Sequence, residues 1–230
     1  MTTAVIIPAS TQDDAHRTSA RHWVMRRYAA LHPSLPVTVA MQLGGPWCKA
    51  EAVNPTVEAV DADVLVIADA DTFVPANQLD AAVAFVASGR HPWATPATQV
   101  RRLTEEASSV VLAQEPGSNP DPRSRTVRCH SLLPGGGIVV VRRDLWLDVA
   151  GYDHRFVGWG GEDYALGCAL RSLSGTYAAK EAGVMWHLWH PVAPSNGGLL
   201  PDTSAALAAR YREAKHDPAL MRGLLAEKEA

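Results

Sequence analysis

Along the first ninety positions, short apolar runs alternate with stretches in which apolar residues recur at helical spacing. Ala4-Val-Ile-Ile-Pro8 reads as a buried strand stopped by Pro8. Ala20, Trp23, Val24, Tyr28 and Leu31 then fall near the helical period, and Asp13 or Asp14 is placed to cap that helix. Residues 37–41 predict a second strand. Gly44-Gly45-Pro46 turns the chain into a helix carrying Trp47, Ala50 and Val53, which Pro55 breaks or kinks. Val64 to Ala68 are five apolar residues, enough for a third buried strand. Leu79, Ala82, Val83 and Val86 mark the buried face of a further helix, with Asn77 as its cap. Strand, helix, strand, helix, strand predicts right-handed βαβ units, hence an α/β fold with a mainly parallel central sheet flanked by helices. Such sheets bind ligands at the carboxyl ends of their strands, where Pro8, Gly44 and Asp69 all fall.

The pattern weakens after that. Residues 95–133 are irregular, and 114–128 (QEPGSNPDPRSRTVR) read as a mobile loop able to close over a ligand. Gly135-Gly136-Gly137 leads into a strand over 138–141, then a short helix over 143–149 ending at Gly151. Ala165, Leu166, Ala169, Leu170 and Leu173 predict a helix over 162–173, and 184–188 a last short strand. Residues 194–201 read as a linker and 203–229 as one or two terminal helices. No internal repeat is present.

Composition narrows the class. The chain has 230 residues, of which 47% are hydrophobic and seven are Trp, which favours a packed core over disorder. A net charge of −3 gives no global signal for nucleic acid. Three widely spaced cysteines (Cys48, Cys129, Cys168) fit neither a disulfide framework nor a zinc spacing, so reduced thiols and a cytoplasmic location are expected. The N-terminus lacks a basic region and a long apolar run, so a signal peptide is not expected, nor is a membrane span.

Three segments carry candidate chemistry. Asp69 and Asp71 follow the third strand; at i and i+2 of an extended chain, two carboxylates share a side and can hold a hard divalent cation with room for phosphates. A strand-end turn in which Asp caps the next helix is the plainer explanation. His187 and His190 lie three apart in MWHLWHP; on an extended segment His187 shares a face with Met185, and His190 points elsewhere, which makes His187 the better ligand and His190 the alternative. An imidazole joining an Asp favours Mn²⁺ over Mg²⁺. Gly158-Trp159-Gly160-Gly161-Glu162-Asp163 combines close backbone approach, an apolar ring face of the kind sugars stack on, and two carboxylates. One carboxylate suits a general base and the other orients the acceptor, although acidic residues also simply favour a helix N-terminus.

Taken together, the chain resembles a GT-A fold glycosyltransferase of the family-2-like superfamily. Its second half is similar to the C-terminal catalytic portion of the β-1,4-galactosyltransferases and polypeptide N-acetylgalactosaminyltransferases. The matching pieces are VIIP at Val5 to Pro8, IADAD at Ile67 to Asp71, PGGGIVVVRRDLWLDVAGYDHRFVGWGGED from Pro134 to Asp163, and HLWHP from His187. The resemblance implies an inverting, metal-dependent transfer from a nucleotide-sugar, a UDP-sugar above all, with Mn²⁺ or Mg²⁺. It places Asp71 and His187 on the metal and Asp69 beside the metal and the nucleotide. Asp163 would be the catalytic base and Glu162 would hold the acceptor. Gly136 and Gly137 would line the donor sugar and diphosphate, with Trp159, Gly160 and Gly161 beside the donor or acceptor sugar. Pro8, Arg17 and Lys49 match positions at the nucleotide. It also implies a catalytic domain over 1–192 (nucleotide-binding half 1–90, acceptor half 91–192) and a helical extension over 193–230. Tyr164 stands where the galactosyltransferase pattern has another Asp, so a glycan, a protein side chain or a modified nucleobase all stay open as acceptor. No membrane anchor or stem is expected. A metal-dependent hydrolase of nucleotide diphosphates and a non-catalytic sugar-binding module are the rival readings.

Overall fold

The computed structural model describes residues 1–191 and 202–228. In chain order the elements are β1 (Thr3–Ser10), α1 (Ala15–Leu31), β2 (Val37–Gln42), α2 (Lys49–Ala59), β3 (Val64–Ala68), β4 (Thr72–Phe73) and α3 (Ala76–Ala87). There follow β5 (Trp93–Thr95), β6 (Gln99–Leu103), α4 (Glu105–Leu112), a 3₁₀ turn (Arg123–Arg125), β7 (Thr126–Ser131), β8 (Ile138–Arg142), α5 (Arg143–Asp148) and α6 (Glu162–Ser174). The last are β9 (Ala179–Lys180), β10 (Val184–His187), α7 (Asp202–Ala214) and α8 (Pro218–Ala226). The expected linker over 194–201 lies outside the described residues.

The central sheet has six strands in the order β2-β1-β3-β8-β5-β9. β1 pairs in parallel with β2 and β3, and β5 with β9, while β8 runs antiparallel to both of its neighbours. The sheet is therefore mainly parallel, as the βαβ pattern requires. β3 is buried at every position, and its alternation feeds two cores. Leu65 and Ile67 join a core with α2, α5, α6, α7 and α8; Val64, Val66 and Ala68 join one with α1, α3 and α4. A second sheet, β4-β10-β6-β7, lies over the carboxyl-end region of β3.

Several expectations give way to packing. Pro8 does not stop β1, which runs on to Ser10; beyond Ile6 the strand pairs with β2 alone, and a residue without N–H is tolerated where one side is unpaired. Pro55 does not break α2, because Ala50, Ala52, Val53 and Val57 are buried around it and that burial outweighs one lost helical bond. Asn77 is not a cap: α3 is entered through Pro75, with no side-chain cap, whereas Asp14 does cap α1 by accepting from Arg17 N. The irregular stretch 95–133 contains β5, β6, α4 and β7. The loop expected over 114–128 is also shorter than the sequence suggests. Its start is pinned to α1 by Arg27, which donates to Pro116 O and Ser118 O at 2.7 and 2.6 Å, and by Trp23 Nε1 to Gln114 O at 3.1 Å; its end is strand β7.

The terminal helices share a core with the segment that follows α5. Tyr211 of α7 is 1% exposed and donates to Asp153 Oδ2 at 2.8 Å, while Arg155 clasps the same carboxylate and reaches Glu227 beyond α8. Asp153 and Arg155 begin the segment that leads through Phe156 to the 158–161 glycine turn. Tyr211→Ala removes a buried ring and a donor to a buried carboxylate. We expect it to cost about 3–5 kcal/mol in urea unfolding, with no change in any first-contact residue of the cleft.

Candidate active site

β3 ends at Ala68 and the chain turns at once. Asp69 N donates to Gly137 O at 2.8 Å, and Thr72 N to Asp69 O at 3.2 Å. The two carboxylates therefore do not share a side, contrary to the extended-chain expectation, because residues 69–71 form a turn and only 72–73 return to strand. Asp69 faces α2 and α6. Asp71 faces the end of β10.

Asp71 is 8% exposed and meets both histidines. His190 Nε2 lies 3.2 Å from its Oδ2 and His187 Nε2 3.8 Å from its Oδ1, and one ligand atom from each of the three residues lies within 4.8 Å of the other two. His190 does not point away. β10 stops at His187, Leu188 N donates to Asp71 O at 2.8 Å and Trp189 N to Ser108 Oγ at 2.7 Å, and this turn swings His190 back over the carboxylate. Two arginines flank the triad: Arg102 Nη1 is 3.0 Å from His187 Nε2, and Arg17 Nη2 is 3.0 Å from His190 Nδ1. Burial would push Asp71 up, but His187, His190 and Arg17 outweigh it and hold the carboxyl well below the usual range. Burial, against the pull of Asp71, lowers His187 to about 4, so its imidazole is neutral at pH 7.

The second cluster joins α2, the β3 turn and α6. Lys49 Nζ donates to Asp69 Oδ1 at 2.6 Å and to Asp163 Oδ1 at 2.9 Å, and lies 5.0 Å from the centre of the Tyr152 ring. Burial would lower Lys49, but the charges of Asp163 and Asp69 carry it well above its ordinary value. Burial pushes Asp163 up, against the pull of Lys49. Glu162 precedes it with Oε2 buried and, among the described residues, without a hydrogen-bond partner.

Glycines let these pieces meet. Gly135, at φ +89°, has no room for a side chain, since a Cβ there would lie 2.1 Å from Asp163 O. Gly136 would meet Asp163 Oδ2 at 3.3 Å, and Gly137 would strike Met185 of β10. Gly160 and Gly161 also have positive φ and carry the chain into α6, with Trp159 47% exposed between Gly158 and Gly160. Pro8 is buried in β1, paired with Ala40 at the same end of the sheet. Sequence reasoning missed Arg102, Ser108 and Tyr152. Arg102 sits in β6, a strand whose sequence QVRRL has too little alternation to be read as one.

Burial, with the charge of Asp163, raises Glu162 from 4.5 to about 7. A carboxyl whose folded value lies above its unfolded one stabilises the fold fully below pH 4.5, and that contribution is lost as pH rises through 7. Between pH 4.5 and 7.5 the urea midpoint of the wild-type protein should therefore fall relative to that of Glu162→Gln. Parallel curves for the two proteins would mean that Glu162 is not perturbed.

The sequence model described as glycosyltransferase like family 2 matches residues 3–199, and the chain belongs to that family. Its fold is the GT-A fold of the nucleotide-sugar transferases. No curated protein matches the sequence. Among solved structures, GalNAc-T7 with UDP, GalNAc and Mn²⁺ is 14% identical over 100% of this chain and 55% of its own, with a TM-score of 0.56. Glucosyl-3-phosphoglycerate synthase from Mycobacterium tuberculosis, in complex with Mg²⁺ and UDP, is 13% identical over 93% of this chain and 79% of its own, at 0.51. At such identities the likeness is one of fold. The chain spans 63% of the catalytic domain of Drosophila β1,4-galactosyltransferase 7 and about half of GalNAc-T7.

Proposed function

We propose that the protein transfers a sugar from a nucleotide-diphosphate donor, a UDP-sugar, to an acceptor hydroxyl with inversion, using a divalent cation held by Asp71, His187 and His190. The observation that carries this reading is the buried triad. His187 Nδ1 lies 2.8 Å from Leu188 O, so its hydrogen goes there and Nε2 is left as a lone pair facing the Asp71 side. That lone pair accepts from Arg102 Nη1 at 3.0 Å, so the neutral imidazole and the ionised carboxylate present two electron donors to one point, where a cation would take the place of the guanidinium contact. One carboxylate with two imidazoles suits Mn²⁺ better than Mg²⁺. Crystal forms of GalNAc-T7 and of the mycobacterial synthase with UDP and a divalent ion support the donor class.

When bound, the cation would supply positive charge against the donor diphosphate. Arg17 and Arg102 add two further charges beside the triad, where negative charge grows on the departing diphosphate. Asp163 takes the hydroxyl proton as the acceptor oxygen bonds to the anomeric carbon. The bond from that carbon to the diphosphate oxygen breaks with its electron pair leaving on the diphosphate, and attack from the opposite face inverts the centre. Glu162 holds the acceptor, and Trp159 offers an exposed ring face for a sugar.

The test is an assay of UDP-sugars with Mn²⁺ and a panel of saccharide acceptors. Acceptor-dependent transfer with inverted product, and slow donor hydrolysis without acceptor, is the expected result. Rapid hydrolysis that ignores the acceptor would replace transfer with hydrolysis, and binding without turnover would leave a sugar-binding protein.

A further inference from the structure

The cation at the heart of the cleft makes no contact with the metal triad. Lys49 is 5% exposed, at the first position of α2, and its ammonium bridges two carboxylates that are far apart in sequence, Asp69 and Asp163. An ammonium has three donors. Two are spent on these carboxylates and the Tyr152 ring covers the approach from a third side, so no donor is free for a nucleotide. Asp69 in turn is tied through its backbone N–H to Gly137 O, and Gly135 and Gly136 pack against Asp163. The contacts form a closed ring: α2, the β3 turn, the triple-glycine turn and the first turn of α6.

We propose that Lys49 is a positioning residue for acceptor activation: by bridging Asp69 and Asp163 it ties the β3 turn to α6 and fixes the carboxylate that takes the acceptor's proton. This rests on the transferase reading of the same site, and it replaces the nucleotide contact that the sequence resemblance implies for Lys49. The charged and titratable groups that face the bridge are Asp69 with Asp71 behind it, Tyr152 from the segment after α5, and Glu162 beside Asp163. Three of the four are carboxylates. Among the described residues Lys49 is the cation in direct contact with Asp163, so its loss leaves Asp163 facing acidic neighbours and a phenol. Opposite charge at contact distance favours the ionised form of a carboxyl by a unit or more. A carboxylate displaced from its working geometry by about 1 Å forfeits about a hundredfold in rate.

The experiment compares wild type with Lys49→Met, using the full chain. Three readouts are taken: Mn²⁺-dependent UDP affinity by calorimetry, the pH profile of turnover, and the ¹³C carboxyl titration of Asp163 without ligand. Lys49→Met is expected to keep UDP affinity within about twofold, since Lys49 touches none of the triad. Turnover should fall about a hundredfold, and the acid limb of the profile and the Asp163 midpoint should both rise by about one unit or more. Loss of UDP affinity in step with turnover would put Lys49 on the nucleotide and overturn the proposal, as would an unmoved Asp163 midpoint. The NMR arm does not depend on transfer activity, so failure of the transferase reading and failure of the bridge remain distinguishable. If Lys49→Met does not fold, ¹⁵N NMR of the lysine ammonium groups in wild type and Asp163→Asn answers the same question. A slowly exchanging Lys49 signal that shifts in Asp163→Asn supports the bridge, and a freely exchanging, unshifted one overturns it.

Discussion

Asp163→Asn is expected to lower turnover about a thousandfold, the scale of losing a general base, while Mn²⁺-dependent UDP binding stays intact. Asn is close in size to Asp, and its amide oxygen can still accept from Lys49 Nζ, which lies 2.9 Å from the present carboxylate. The packing of Gly135 and Gly136 on this turn of α6 is also retained, because the change adds no bulk. What is lost is the capacity to accept the hydroxyl proton. The measurement is steady-state transfer with saturating donor, paired with calorimetry of UDP. A protein that kept most of its turnover would remove Asp163 as the base and leave Glu162, whose raised carboxyl stands next to it, as the candidate.

The second large effect is on the other side of the cleft. Asp71→Ala is expected to weaken Mn²⁺-dependent UDP binding by more than about a hundredfold, since changes even one shell further out cost ten- to a hundredfold in metal affinity. Asp71 supplies the one carboxylate of the triad and is the residue both imidazoles face. Asp69→Asn is the matched control. Asp69 is engaged by Lys49 rather than by the histidines, so its loss should leave Mn²⁺ affinity far less changed. Equal losses in the two variants would mean that both carboxylates reach the metal and that the turn at 69–71 rearranges when it binds. Without Mn²⁺, Asp71→Ala and wild type should bind UDP equally weakly.

On the proposed reading, these two variants divide the cleft into a half that holds the donor and a half that activates the acceptor. The division runs through a single dipeptide spacing. Asp69 and Asp71 are two residues apart, yet one joins the Lys49–Asp163 bridge and the other joins the histidines. The turn that separates them is held by Gly137 O on one side and by Leu188 N on the other. Both anchors come from segments more than sixty residues away.

Much of the fold was legible because local chemistry and burial agree. β3 occupies the five apolar residues read from the sequence, stopped by Asp69, since a strand buried on both faces needs a continuous apolar run. Helix α6 follows its apolar period from Glu162 and ends at Gly175 with φ +66°, a left-handed cap suited to glycine. The residue types of the site were legible as well: two carboxylates after a strand, a glycine turn before Glu-Asp, and a pair of histidines. Their partners were not. β4 has two residues and no pattern that distinguishes it from a loop; it becomes a strand because Phe73 and Thr72 find Trp186 and His187 of β10, the short strand the sequence does show, across the sheet. His190 joins the triad only because the chain reverses after β10.

By itself, then, the sequence determined a mainly parallel α/β sheet, its principal strands and helices, and the kinds of side chain gathered at the strands' carboxyl ends. These depend on periodicity and turn chemistry within about ten residues, which any reading of the chain can sum. Only the tertiary structure decided which carboxylate meets the histidines, that Arg102 stands beside them, and that Lys49 spans 114 positions to reach Asp163. The physical reason is that a buried charge is tolerable only where a partner is brought to it. That partner is chosen by the packing of segments distant in sequence, not by its neighbours along the chain.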